Sequence, residues 1–394
     1  MQLFGFVLSR GIRHNRRCKL ADIAGPLLLW GCHAPRIALA VKHSQAPWSV
    51  KLTQYRVYNE SPPGTGNPRG GVIVERRAIV VTRRLPGVPW DDLAKRFRAG
   101  ASPPEETMPR GEFLARARGA SGILCTLADR VDEELMDAAG PSLSVVSNFA
   151  VGVNNVDVAG ATRRGIRVCN TPDVLTDATA DLGFALLLSA ARKVSDADRY
   201  LREGRWTGWD PWGFLGVLIA GKTLGIVGMG KIGAAVARRS RGFSMKILYN
   251  NRRRLSPSAE AELAASYRDL DPLLEESDFV VLCVPLTKET RGLISRERIG
   301  KMKRTAVLVN IARGEVVDEE AVATALAQGR LFGAGLDVYE KEPRVNPLLL
   351  SAPSAVLLPH LGSATGETRE AMGRLATENL LAVLDGREPP CPVN

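Results

Sequence analysis

From residue 78 onward, apolar residues come in short runs separated by polar stretches with helical spacing. Ala78–Thr82, Gly122–Thr126 and Leu143–Asn148 read as strands, and Trp90–Ala99 and Asp129–Ala139 between them read as helices. Strand-length apolar runs alternating with helical segments predict βαβ units and a parallel sheet. A long apolar helix follows at Ala178–Arg192, after the turn Asn170-Thr-Pro-Asp173, and a second βα series runs from Thr223 to His360. Glu367–Leu384 carries Met372, Leu375, Leu380 and Leu381 at helical spacing, which predicts a C-terminal helix packed back on the first domain. The Trp-, Gly- and Pro-rich stretch Gly204–Gly216 predicts an extended loop. Its Trp206, Trp209 and Trp212 are assigned to packing, the alternative being a reach across a subunit interface.

Residues 1–72 break this pattern. They show no sustained helical or strand period and end in a Pro/Gly-rich stretch. The apolar run Ala24–Trp30 is too short to span a bilayer. Composition sets the segment apart as well. The 394-residue chain has a net charge of +11, but residues 1–70 hold ten Lys and Arg against two acids. That segment therefore carries +8 and the other 324 residues +3. The reading is a disordered basic extension, or translated sequence upstream of the start, with an organelle transit peptide as the alternative. The charges are scattered and have no aromatic platform among them, which argues against nucleic acid as a partner. Six Cys without a C-x-x-C pair give neither zinc spacing nor a disulfide framework. They suit a reducing, cytoplasmic setting, and Cys125 and Cys283 lie inside apolar runs as small buried hydrophobes.

The strongest local signal is Leu224-Gly-Ile-Val-Gly-Met-Gly-Lys-Ile-Gly-Ala-Ala-Val-Ala. An apolar strand runs into Gly228-x-Gly230-x-x-Gly233 and then into an Ala-rich helix. The first glycine permits the tight turn, the second lets the backbone approach a pyrophosphate, and the third allows close helix–strand packing. A second strand, Met245–Tyr249, follows at the expected distance and ends in Asn250-Asn251-Arg252-Arg253-Arg254. An NAD site usually has an acid there for the ribose 2′-OH. Here no carboxylate stands to repel a 2′-phosphate, and Arg252 and Arg253 are placed to meet it. The expected cofactor is therefore NADP(H), with NAD(H) possible.

Three further segments follow: Val309–Asp318, Gly333–Pro343 and Leu358–Ala364. Each joins an apolar run to polar residues. In an open α/β sheet, ligands bind at the carboxyl ends of strands, so Arg313, Glu342 and His360 converge at one edge. With Asn170–Asp181, these motifs make the chain resemble the D-isomer-specific 2-hydroxyacid dehydrogenases from about residue 76 to the C-terminus. Within them it is most similar to the glyoxylate/hydroxypyruvate reductases.

The resemblance implies an α/β fold of two Rossmann-like domains. A discontinuous substrate-binding domain would take residues 73–174 and 361–394, and the NAD(P)-binding domain residues 175–360. It implies a homodimer acting on small 2-oxo acids, with His360 as proton donor, Glu342 favouring its charged form, and Arg313 holding the substrate. Val151 and Gly152 would supply backbone N–H groups, and Leu127 would line the substrate pocket. Met229, Lys231, Ile232, Asn251, Thr179, Ile311, Ala312, Asp337 and Gly362 would join the glycines and the arginines at the cofactor. Where the family has Asp, this chain has Asn154, which is expected to shape the turn after Gly152. Glu342 argues against the formate dehydrogenase branch. Phosphoglycerate, phosphite, a bulkier 2-oxo acid, or a dinucleotide-sensing corepressor remain alternative readings.

Overall fold

The structure is a computed structural model that describes residues 76–394, so the expectations for residues 1–72 lie outside the described residues. Two parallel sheets organise the rest. The first has four strands, Ala78–Val81 (β1), Ala120–Cys125 (β2), Val145–Asn148 (β3) and Arg167–Cys169 (β4), in that spatial order. Side chains alternate across it. Val80, Ile123 and Val146 enter one core, and Ile79, Val81, Leu124 and Val145 enter the opposite one. The second of these cores is closed by the helix Gly366–Leu384, which contributes Met372, Ala376, Leu380 and Leu384.

The second sheet has seven strands: Thr223–Val227 (β5), Lys246–Asn250 (β6), Ala265–Tyr267 (β7), Phe279–Leu282 (β8), Val307–Asn310 (β9), Gly333–Leu336 (β10) and Ala355–Leu357 (β11). Their spatial order is β11-β10-β9-β8-β5-β6-β7, and every pairing is parallel. Chain order reverses between β8 and β5, and the crevice outside the carboxyl ends of such a pair is where doubly wound sheets bind ligands. The apolar helix runs from Thr176 to Ala191 and packs on this sheet.

Local details depart from the sequence reading where packing intervenes. The first helix spans Trp90–Arg96, because Phe97 is extended and Arg98 bridges Ala78. The next expected helix starts at Glu133, with Asp132 accepting from the Leu135 N–H as its cap. Asp129 is instead buried outside it, and its Oδ2 accepts from Thr82 Oγ1 at 2.6 Å, Thr126 N at 2.8 Å and Thr126 Oγ1 at 2.9 Å. Cys125 is fully buried, whereas Cys283 is partly buried against the core.

The tryptophan expectation needs correction. Gly204–Gly216 is an irregular loop, but Trp206, Trp209 and Trp212 are 61%, 84% and 80% exposed rather than packed within the chain. The loop leaves from the helix Val194–Arg202, which buries no residue, so it has no core to fold onto. Among the described residues, no helix is long and apolar enough to cross a membrane, and no cluster of His, Cys, Asp and Glu is set to hold a metal ion.

Candidate active site

The glycine turn leaves β5 at the strand-order reversal. Gly228 has φ +100, a region that side-chain-bearing residues rarely adopt, and a Cβ there would lie 2.8 Å from the Cys283–Val284 peptide. A Cβ on Gly233 would lie 2.2 Å from the Gly228 carbonyl oxygen, so the helix Lys231–Ser240 sits on the turn only because that position is glycine. Gly230 is the N-cap of this helix and has no neighbour within 4 Å of an added Cβ. No side chain caps the helix, so its first N–H groups are open to an anion. These features fit a dinucleotide pyrophosphate. Asn251 braces the turn, with its Oδ1 accepting from the Met229 N–H at 2.7 Å. Arg252 and Arg253 are exposed beside it and make no ion pair or hydrogen bond among the described residues. Lys231 is paired with Asp173 at the start of the connection between the sheets.

Arg313, Glu342 and His360 come from the segments that follow β9, β10 and β11. The His360 Nδ1 lies 2.8 Å from Glu342 Oε2. With the carboxyl ionised, Nδ1 must carry the proton it donates, which leaves Nε2 available to a ligand in the cleft that His360 lines. Burial opposes the charge of Glu342. The His360 hydrogen bond and charge, the Tyr339 N–H at 3.1 Å and Arg313 outweigh burial and hold the carboxyl below its ordinary value.

His360 itself has φ +56, a strained conformation for a residue with a side chain. Asp337 holds it there. The His360 N–H donates to the Asp337 carbonyl at 2.9 Å, and the next two N–H groups donate to the Asp337 carboxylate, from Leu361 at 2.6 Å and from Gly362 at 2.8 Å. Asp337 is only 2% exposed, and burial raises its pKa against these hydrogen bonds.

Arg313 is largely buried, and burial pulls its pKa down against the opposing charges of Glu342 and Glu315. Its Nη1 donates to the Ala312 carbonyl at 2.6 Å, while Asn310 receives the Ala312 N–H at 3.0 Å and donates to the Arg313 carbonyl at 2.9 Å. The guanidinium lies over Gly152 of the first sheet's edge, where a Cβ would fall 1.9 Å from Nη2. The carbonyls of Val151 and Gly152 are tied back by the side chains of Asn170 at 2.8 Å and Asn148 at 2.9 Å. Their N–H groups donate no hydrogen bond among the described residues. Two open donors beside a guanidinium form an anion cradle.

A cleft of about 430 Å³ joins Leu127, Val151, Thr179, Ile232, Ile311, Arg313, Asp337, His360 and Gly362. Thr179, Ile311 and Ala312 are buried, and Leu127 is 41% exposed. Gly228, Met229, Gly230, Lys231, Gly233, Asn251, Arg252 and Arg253 do not line this cleft. Asn154 and Asn155 are the two central residues of the turn that the Val156 N–H closes onto the Val153 carbonyl at 3.0 Å, and the Asn154 Nδ2 also donates to the Leu286 carbonyl, 3.3 Å away, across to the second sheet's side. Asn155 anchors the turn. It donates to the carbonyls of Thr126 and Asp129, both at 3.0 Å, and pairs with Asn148. Sequence reasoning missed Asn148, Asn155 and Asn310. Each is an amide in a loop or at a strand end, and its partner becomes visible only when the segments meet.

Comparison with known proteins gives the family. Residues 184–362 match the NAD-binding domain of the D-isomer-specific 2-hydroxyacid dehydrogenases. A glyoxylate reductase of Thermococcus kodakarensis is 51% identical over 323 residues, covering 81% of this chain and 96% of that protein. The glyoxylate reductase of Pyrococcus furiosus is 50% identical over 320 residues, covering 80% and 95%. A crystal structure of an NADPH-dependent glyoxylate/hydroxypyruvate reductase from Sinorhizobium meliloti, bound to NADP and malonate, superposes with a TM-score of 0.71 at 37% identity. It covers 81% of this chain and 97% of its own. Relatives of this identity, matched over nearly their whole length, place the chain in the D-isomer-specific 2-hydroxyacid dehydrogenase family.

Proposed function

We propose that the protein is an NADPH-preferring reductase of small 2-oxo acids, with glyoxylate and hydroxypyruvate as substrates. The observation that carries this reading is that Val151, Arg313 and His360 line one cleft, with the open N–H of Gly152 beside the Arg313 guanidinium and Glu342 hydrogen-bonded behind His360. A 2-oxo acid needs its carboxylate bound, its carbonyl polarised and a proton delivered to its oxygen. The N–H donors and Arg313 hold the carboxylate. Arg313 also polarises the carbonyl through its second nitrogen, which a planar guanidinium allows. His360 Nε2 donates the proton, and Glu342, 2.8 Å from Nδ1, fixes the orientation of the ring. A bound nicotinamide supplies hydride to the carbonyl carbon.

The 2′-phosphate preference rests on Arg252 and Arg253, exposed and without an ion pair or hydrogen bond among the described residues beside the turn that Asn251 braces, with the Glu289 carboxylate within electrostatic reach of Arg252. The exposed Trp206, Trp209 and Trp212 favour a homodimer, with the second copy covering the loop. The free thiols Cys125, Cys169, Cys283 and Cys391 favour a cytoplasmic, reducing setting. Steady-state assay of the full chain with NADPH or NADH against glyoxylate and hydroxypyruvate tests the reading. Turnover with NADPH at the higher kcat/KM supports it, and no turnover of any small 2-oxo acid overturns it.

A further inference from the structure

The cleft holds more positive charge than a 2-oxo acid's single carboxylate uses. Arg83 and Arg84, which follow β1, and Arg369, in the first turn of the C-terminal helix, line the same cleft as Arg313 and His360. None of the three makes an ion pair among the described residues. Arg83 spends one donor, its Nε, on the Glu105 carbonyl at 2.7 Å. The Arg84 side chain has no hydrogen-bond partner among the described residues and is exposed. Arg369 is the most telling: its Nε is buried and donates to nothing. A buried guanidinium nitrogen without an acceptor costs free energy that a structural role does not return. The one carboxylate lining this end is that of Glu105, whose backbone carbonyl rather than side chain meets Arg83.

Resting on the reductase reading above, we propose that Arg369, Arg84 and Arg83 form a distal anion subsite. It would select 2-oxo acids that carry a second negative group, carboxylate or phosphate, at the end away from the reacting carbonyl. Arg313 and the Val151 and Gly152 N–H groups would hold the carboxylate next to the carbonyl. The second anion would then reach the three arginines of the first sheet's side, supplying the acceptor that Arg369 Nε lacks.

The test compares 2-oxo acids that differ in the far end alone. 2-Oxoglutarate and 3-phosphooxypyruvate present a distal carboxylate and a distal phosphate, and 2-oxopentanoate presents a methyl group. In the wild-type protein, kcat/KM for a charged substrate should exceed that for 2-oxopentanoate by about tenfold or more, the effect of one charge-assisted hydrogen bond. That ratio should fall toward one in Arg369→Met and Arg84→Gln, mainly through KM. Whichever charged substrate shows the larger ratio identifies the group. A wild-type ratio at or below one, or a ratio unchanged in both variants, overturns the subsite. Glyoxylate turnover, measured alongside, reports on the reductase reading separately. If no 2-oxo acid is reduced, the same ratio is read from dissociation constants by calorimetry with NADP present, where equal affinities again overturn the proposal.

Discussion

Replacing Gly152 by Ala probes the contact on which the proposed substrate recognition depends. Gly152 does not need a positive φ, so alanine fits its backbone. The added Cβ would fall 1.9 Å from Arg313 Nη2, against the 3.4 Å at which ordinary contact begins. The guanidinium must therefore move by about 1.5 Å. It cannot swing away freely, because it is largely buried and its Nη1 is anchored to the Ala312 carbonyl at 2.6 Å. A shift of this size breaks a two-point hold on a carboxylate. Losing one charged hydrogen bond costs about 1.5–3 kcal/mol, or roughly 10–150-fold in affinity. The expected outcome is a rise in KM for the 2-oxo acid of that order. The KM for NADPH should change little, because Gly152 lies away from the glycine turn. Combining the change with Arg313→Lys should give less than the sum of the single effects, since both act on one contact. Unchanged KM with lowered stability would refute the reasoning, because Arg313 would then not be what holds the substrate.

Other perturbations read other parts of the site. Replacing His360 by Ala should lower kcat by about 10²–10⁴-fold, the range for a general acid; a near-normal rate removes it from proton transfer. Glu342→Gln should alter the pH profile as well as kcat. Because the Glu342 carboxyl is held below its ordinary 4.5, its contribution to stability is complete above that pH and is lost as pH falls through the folded value. The stability gap between wild type and variant should thus close in acid, and a gap that stays constant from about pH 7 to about pH 3 contradicts the pairing. Changing Arg252 and Arg253 to Gln should raise KM for NADPH well beyond that for NADH, and equal effects would refute the 2′-phosphate assignment. Leu380→Ala, fully buried between the C-terminal helix and the first sheet, should cost about 2–5 kcal/mol in denaturant unfolding.

Some of this protein was legible in residue order alone. The glycine turn is a local device: strand, three glycines at fixed spacing and helix lie within the single stretch Thr223–Ser240, and each position's steric demand can be argued without knowing what lies elsewhere. The strands were legible for the same reason, since Val80 and its neighbours Ile79 and Val81 alternate between two cores. His360 stood out as the one His beyond the basic N-terminal segment.

Tertiary structure decided the rest, because the deciding contacts join segments far apart in the chain. Gly152 meets Arg313 only when the two sheets face one cleft. Asp337 matters to His360 because it collects three successive N–H groups from another strand's end and so holds His360 at φ +56. Asn251 braces the turn through the Met229 N–H, a contact that no spacing rule shows, and Arg252 and Arg253 stand exposed beside it. The tryptophans look like core in composition and lie on the surface, since a hydrophobic side chain packs only where a neighbouring element leaves it a place. Local sequence sets which element forms. Which side chains share a site depends on the crossing of the chain over distances that no spacing rule spans.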